Sequence, residues 1–236
     1  MFFFTKIPTP LFNSPYLDKI LGSVLPFDNQ ERIVELEMIA LKGTILRITK
    51  KITDTIIQVE YDEYLVSKPL YTDTRCGAFV CEKSTTPRLI PPVSEVIDKM
   101  IQCVGVPYLW GGNYCRGIDL WKEFYPPKRK LSFKEETFWT FKGVDCSGLL
   151  YEACNGCILR NTSDLMNYGF QVCLDDIKPL DIILYKGHVI IYIGNRKVIE
   201  SCLAWSEVRI NNLDYRLSLI KKPFIVRRFH PDALKK

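Results

Sequence analysis

From Asp181 to Phe229 the chain carries five short apolar runs in succession: DIILY (181–185), HVIIYI (188–193), KVIESC (197–202), EVRI (207–210) and FIVRRF (224–229). Their β-branched and aromatic residues suit a pleated, half-buried surface, and GNRK (194–197) supplies a tight turn between two of them, so the series reads as an antiparallel meander. Ahead of it, Cys146 to Ala153 places Leu149, Leu150 and Ala153 on one helical face and ends at Asn155-Gly156, a terminator pair. A buried helix followed by a meander implies an α+β arrangement, with the cysteine helix laid on the sheet.

A second region precedes this one. The Pro-rich, polar stretch EKSTTPRLIPP (82–92) reads as a linker, giving an N-terminal domain over 1–87 and a C-terminal domain over 88–236. GTILRITKK (43–51), DTIIQVEYDEYLV (54–66) and GAFVCEK (77–83) alternate as strands and predict a small β-barrel, with NQERIVELEM (29–38) adding a helical turn or two. In the second region SEVIDKMIQCVG (94–105) is an amphipathic helix bounded by Ser94 and Gly105. PYLWGG (107–112) is a loop, and residues 113–142 form an elaborated, partly irregular insertion.

Composition narrows the function. The 32 basic and 27 acidic residues are spread along the chain and the one dense cluster, KRK at 128–130, is short, so nucleic acid is not an expected partner. No run reaches the roughly 20 apolar residues of a membrane span. MFFFTKIPTPLF opens apolar but meets Lys6, Pro8 and Pro10, so it does not read as an export signal, and a cytoplasmic location is expected. On that reading most of the nine cysteines are reduced and packed as small hydrophobes, and disulfides are not expected.

Among those cysteines Cys146 stands out. At the first turn of a helix a thiol feels the positive end of the backbone dipoles, which favours the thiolate a nucleophile needs. Only two histidines are available as a base. His230 lies in the FHPDALKK tail and is expected to be solvated, whereas His188 opens a strand. Glu200 follows His188 by 12 residues on the returning strand, where a hairpin brings the two side by side and a carboxylate can orient the imidazole. Taken one by one, a core cysteine, a hydrogen-bonded structural histidine and an exposed strand glutamate are the alternative readings. CNGC (154–157) has redox or zinc spacing but closes a helix instead of opening one, which argues against either use.

Together, PYLWGG, DCSG at a helix start, KPLDIILYKGHVIIYIGN and a polar residue 12 beyond the histidine resemble the NlpC-type cysteine peptidases of bacterial cell walls, which implies a papain-like fold. The resemblance spans about residues 94–202 and implies Cys146 as nucleophile, His188 as base and Glu200 as third member of the catalytic set. It further implies Tyr108 near the oxyanion, Trp110 lining the cleft, Asp145 and Ser147 holding a free amino end, and Arg160-Asn161-Thr162 in a further substrate-contacting segment. The implied reaction is cleavage of the γ-D-Glu–diamino acid bond in peptidoglycan stem peptides or muropeptides with a free N-terminal L-Ala, in a recycling role, with no metal or organic cofactor. The N-terminal region is similar to the bacterial Src-homology-3-like barrels fused to such domains. An inactive peptidoglycan-fragment binding module, or an amide hydrolase or acyltransferase of the same fold, is the alternative. The chain departs from the family in three ways. Glu200 stands where His, Asn or Gln is usual and should raise the pKa of His188. Leu180 replaces a customary glycine, and the 113–142 connection is long.

Overall fold

Short apolar runs in the first 80 positions build a seven-stranded antiparallel sheet from β1 (Phe2–Thr5), β2 (Thr9–Phe12), β3 (Leu36–Ala40), β4 (Ile45–Lys51), β5 (Ile56–Glu60), β6 (Leu70–Asp73) and β7 (Gly77–Val80), ordered β3-β2-β6-β5-β4-β1-β7. The computed structural model describes residues 1–22, 24–30, 32–64, 66–83 and 87–233; residues 84–86 of the expected linker, Glu31, Leu65 and the last three residues of the tail lie outside the described residues. Contacts divide the chain into two units, Met1–Pro87 with Leu109–Gly143, and Arg88–Tyr108 with Val144–Lys236.

In the first unit the three runs read from the sequence form β4, β5 and β7, and β1, β2, β3 and β6 complete the sheet. β1 is three phenylalanines and a threonine, in which Phe3 and Thr5 are buried while Phe2 and Phe4 are half-buried, so period-two burial exists without a period-two change of residue type. Its approach to β7 requires glycine at position 77, where a Cβ would fall 2.2 Å from the Phe4 carbonyl oxygen. The helical turn expected in 29–38 is corrected: one Asp28 carboxylate oxygen accepts the N–H groups of Gln30 and Arg32, both at 2.9 Å, and β3 begins at Leu36. A carboxylate that captures local N–H groups offers the backbone a turn in place of a helix.

Residues 109–143, read from the sequence as part of the second domain, group with the sheet of residues 1–87. Asn113 exchanges two hydrogen bonds with the Ile39 backbone, at 2.9 and 2.7 Å. Phe12, Trp121 and Phe141 form a triangle of edge-on rings with centroids 5.3 to 5.8 Å apart. Tyr125 donates its hydroxyl to buried Asp73 at 2.8 Å, and the guanidinium of Arg75 lies over the rings of Phe124 and Tyr125. The segment also contains a helix, Phe133–Trp139, opened by a capping box between Ser132 and Glu135.

The second unit carries an antiparallel sheet of β8 (Phe170–Val172), β9 (Ile182–Tyr185), β10 (His188–Gly194), β11 (Lys197–Cys202), β12 (Glu207–Asn212) and β13 (Ile225–Arg228), ordered β8-β13-β9-β10-β11-β12. β9 to β12 are a meander as expected, but β13 leaves the series and pairs with β9, so it is not the next strand after β12. The Cys146–Ala153 helix packs on β10 and β11 and receives the Val93–Gln102 helix, which buries Val96 and Met100. Leu213, from the short Leu213–Ser218 helix, joins Ile183, Ile190, Val198 and Val226 in a buried cluster.

Two further expectations are corrected. His230 is buried, its Nε2 within 2.8 Å of the Pro91 carbonyl oxygen and its Nδ1 accepting the Asp232 N–H at 3.2 Å, because the tail docks instead of fraying. Cys103 and Cys115 are disulfide-bonded, whereas Cys76, Cys81, Cys146, Cys154, Cys157, Cys173 and Cys202 are thiols. The expectation of no disulfide rested on a compartment inferred from the opening residues, and a compartment says nothing about individual cysteines.

Leu180 is buried at φ 74, in the left-handed region, with its N–H donated to the Tyr192 carbonyl at 2.7 Å. Glycine there would relieve a conformation that costs an L-residue about 1–2 kcal/mol. Deleting a buried leucine side chain costs about 2–5 kcal/mol. The cavity therefore wins, and Leu180→Gly is expected to lower stability by about 2 kcal/mol. A shift of the urea midpoint to lower concentration with an unchanged slope checks this.

Candidate active site

Asp145 opens the Cys146–Ala153 helix: its extended backbone and its carboxylate, which accepts the Gly148 N–H at 2.7 Å, make it the N-cap and put Cys146 at the first helical position. At that position the sulfur faces unpaired backbone N–H groups. Val144, just upstream, donates its N–H to the Pro107 carbonyl at 3.2 Å and forms an isolated bridge with Tyr108, which fixes Tyr108 close in the backbone to the cysteine. Cys146 retains 7% of its surface and His188 9%, so the pair is nearly enclosed without being sealed.

The register of the meander assembles the rest. Ile191 pairs with Ile199 across β10 and β11, which sets Glu200 opposite Ile190, one diagonal step along the same face from His188. The His188 Nε2 and Glu200 Oε2 atoms are 2.7 Å apart, and the His188 imidazole and the Cys146 thiol interact and shift each other's pKa. The Cys146 sulfur lies 3.6 Å from the Thr162 hydroxyl. Thus Cys146, His188 and Glu200 stand in a row, as the sequence reading expects.

Glu200 is fully buried, and its counter-charge is a residue the sequence reading missed. Arg216, on the Leu213–Ser218 helix, donates Nε to Glu200 Oε1 and Nη2 to Oε2 at 2.9 Å, and Nη2 also reaches the Tyr185 hydroxyl at 3.0 Å. The Tyr185 ring sits 5.3 Å from the His188 ring. The one available signal was indirect: a carboxylate placed on a buried strand face demands a cation nearby, and Arg216 is the basic residue of the helix that follows the sheet's edge strand.

The electrostatics follow from these contacts. Burial opposes a charged imidazole, but the hydrogen bonds to Cys146 and Glu200 outweigh it and hold the His188 pKa well above its ordinary value. Burial likewise opposes the thiolate, and the hydrogen bond and charge of His188 overcome it, so the Cys146 pKa is lowered although Asp145 works the other way. For Glu200, burial is outweighed by His188 and Arg216 and the pKa is lowered. Opposite shifts in a touching thiol and imidazole favour the thiolate–imidazolium pair.

The other predicted positions divide. Arg160, itself buried, donates Nη1 to Asp145 Oδ1 at 2.9 Å and to Ser147 Oγ at 3.0 Å, and Nη2 to Asp145 Oδ2 at 2.7 Å. Asp145, Ser147 and Arg160 thus form one buried cluster at the start of the cysteine helix. Trp110 belongs to the first unit, where the Arg32 guanidinium lies over its ring at 4.8 Å. In CNGC, Asn155 and Gly156 take left-handed φ values of 56 and 73°, Cys154 is pushed up to about 12 by burial, and both cysteines are thiols. His188, Glu200 and Cys202 offer three donor atoms within 4.8 Å of one another. The Arg216 guanidinium on both oxygens of Glu200 makes that set a poor cation site, since it already occupies the carboxylate with positive charge.

Residues 105–226, a little over half of the chain, match the NlpC/P60 family. The chain belongs to this family. Among curated relatives, dipeptidyl-peptidase 6 of Lysinibacillus sphaericus is 26% identical over 133 residues, covering 54% of this chain and 39% of that protein. Peptidoglycan endopeptidase RipB of Mycobacterium tuberculosis is 30% identical over 126 residues, covering 50% of this chain and 47% of that protein. The chain therefore spans less than half the length of these relatives. An NlpC/P60 family protein from Bacillus cereus aligns over 98% of this chain and 63% of its own at 18% identity, with a TM-score of 0.45. Among the described residues no helix is long and apolar enough to cross a membrane.

Proposed function

We propose that this NlpC/P60 chain is a cysteine peptidase that hydrolyses peptidoglycan-derived stem peptides, at the γ-D-Glu–diamino acid bond of peptides with a free N-terminal L-Ala. The observation that carries the reading is the row of Cys146, His188 and Glu200, with His188 Nε2 and Glu200 Oε2 2.7 Å apart, the thiol and imidazole shifting each other's pKa, and the sulfur at a helix N-terminus. The Cys146 thiolate attacks the amide carbonyl. The C–N bond breaks as His188 delivers a proton to the leaving amine, through Nδ1 since Nε2 is committed to Glu200. Water then gives a proton back to His188 and adds to the thioester, releasing the acid and the thiolate. The backbone N–H of Cys146, with Tyr108, stabilises the oxyanion, and each such donor contributes on the order of 10²–10³ in rate.

Asp145 and Ser147 are the proposed receptors of the peptide's amino end. Arg160 already balances the Asp145 charge, so recognition there works through oxygen lone pairs and not through a net negative site. In the same proposal the seven-stranded sheet of the first unit is a Src-homology-3-like module and Trp110 contributes to the cleft.

The test is incubation with L-Ala-γ-D-Glu-diamino acid, followed by mass spectrometry. Free diamino acid and the dipeptide L-Ala-γ-D-Glu are expected, and N-acetylation of the alanine should lower kcat/KM by about 10²-fold if a buried polar receptor is left unpaired. Intact tripeptide in the presence of folded protein overturns the reading. Cell fractionation decides between the cytoplasmic recycling role and an oxidising compartment, which the disulfide-bonded Cys103 and Cys115 favour.

A further inference from the structure

We propose that Glu200 and Arg216 act as one electrically neutral hydrogen-bonding unit, in which Arg216 is a positioning residue that fixes the aim of the Glu200 carboxylate on His188 and cancels its charge. The geometry is that of a fork grip: Arg216 engages both oxygens of Glu200, and its Nη2 is shared with the Tyr185 hydroxyl. Both partners are buried, so neither charge is screened by water. The Glu200 Oε2 atom that meets His188 Nε2 at 2.7 Å is the one that also accepts from Arg216 Nη2, so the guanidinium sets where the imidazole finds its acceptor. The Asn211 amide approaches Oε1 at 3.5 Å from β12 and completes the shell of the carboxylate.

A lone carboxylate in this interior would leave the Cys146–His188–Glu200 row with net negative charge once the thiolate and imidazolium cancel. Arg216 removes that charge, and seen from His188 the Glu200–Arg216 unit presents the hydrogen-bond acceptor of a neutral amide. Breaking a buried ion pair by removing one partner strands the other charge, whereas replacing both partners by neutral groups of similar volume is often tolerated. The two residues should therefore be exchangeable together and not singly.

The groups facing His188 from each packed element are Cys146 on its helix, Tyr185 on β9, Glu200 and Cys202 on β11, and, through Glu200, Arg216 and Asn211. In Arg216→Met the carboxylate faces His188 uncompensated and stabilises imidazolium, so the alkaline limb of a pH profile moves up. In Glu200→Gln the stranded guanidinium disfavours imidazolium and the same limb moves down. Two singles that shift one titration in opposite directions are not the signature of a merely structural role.

The experiment compares parent, Glu200→Gln, Arg216→Met, Arg216→Lys and the double variant Glu200→Gln/Arg216→Met. The kinetic readout, kcat/KM on the tripeptide against pH, rests on the peptidase reading. The second readout does not: alkylation of Cys146 by iodoacetamide against pH, mapped by peptide mass spectrometry, follows the thiolate–imidazolium pair without substrate. A protein that cleaves no tripeptide but shows the alkylation pattern separates failure of the substrate assignment from failure of this proposal. Each single charge-removing variant is expected to lose about 30-fold or more in kcat/KM. The double variant should return to within about tenfold of the parent, and Arg216→Lys, which keeps the charge but not the fork, should lie between Arg216→Met and the parent. A double variant no better than the worse single, or singles whose limbs move in the same direction, overturns the proposal. If a single variant does not fold, the double decides alone, since a double that also fails to fold overturns it.

Discussion

Alanine at Cys146 is expected to abolish hydrolysis of the stem tripeptide, with a loss on the order of 10⁴–10⁶-fold, while the fold survives. The sulfur is the nucleophile of the proposed acyl intermediate, and His188, held to Glu200 as the proton carrier, and Glu200, gripped through both oxygens by Arg216, are not placed to replace it. The structural effect is small by comparison, since a cysteine and an alanine differ by one buried heavy atom in a helix whose cap is Asp145 and whose packing face is Leu149, Leu150 and Ala153. Thermal unfolding of the variant within a few degrees of the parent, together with absent tripeptide cleavage, is the expected pair of results. Cleavage at more than about one-hundredth of the parent rate would place the chemistry elsewhere. The parent adds a pH signature. Because the lowered thiol pKa keeps Cys146 ionised as pH falls, alkylation at Cys146 should persist below the range near 8.5 where an ordinary thiol loses its thiolate. That reactivity is lost only on passing below the lowered pKa, and labelling that disappears already near pH 8 would contradict the ion pair.

The second large effect concerns stability. Asp145→Ala removes the N-cap of the cysteine helix and the carboxylate that accepts both Nη groups of buried Arg160. Removing one partner of a buried ion pair costs about 3–5 kcal/mol, and the lost cap about 1 kcal/mol more, although the two share one carboxylate and do not add fully. A loss of about 4 kcal/mol is expected in chemical denaturation. Asp145→Asn keeps an acceptor for the Gly148 N–H and should recover the cap but not the ion pair. If Asp145→Ala and Asp145→Asn were equally stable, the cap would be contributing nothing, and if both matched the parent, the buried cluster would not be holding the helix start.

The legible parts of this chain were those whose signal is local. The cysteine helix forms over the bounds read from Leu149, Leu150 and Ala153 with the Asn155-Gly156 stop, because capping and termination are decided within a few residues. Between His188 and Glu200 alternation alone is not enough: Gly194 pairs with Lys197 but Tyr192 with Val198, and this one-residue register shift brings Glu200 opposite Ile190, on the face of His188, instead of opposite Ile191. Arg216 was not legible: it lies 16 residues from Glu200 on a helix of six residues, and nothing in LDYRLS distinguishes a buried arginine from a solvated one. β1 and β2 were missed because a run of phenylalanines and a strand containing Pro10 lack the alternation in residue type that marks a strand. The helical turn expected in 29–38 failed to a single side chain, Asp28, which lies just outside the segment whose periodicity was being read.

The allegiance of residues 109–143 has a consequence for how the chain can be made or cut. The polypeptide leaves the first unit at 87, returns to it at 109 and leaves again at 143, so neither unit is a contiguous stretch. During synthesis the N-terminal sheet emerges before Asn113 can close on Ile39 and before Trp121 and Phe141 can enclose Phe12, and its completion waits for some sixty residues beyond β7. A protease or a cloning boundary between 87 and 88 would likewise release a C-terminal fragment carrying Trp121 and Phe141 without the ring they pack against, so a soluble peptidase fragment needs the loop replaced as well as the front removed.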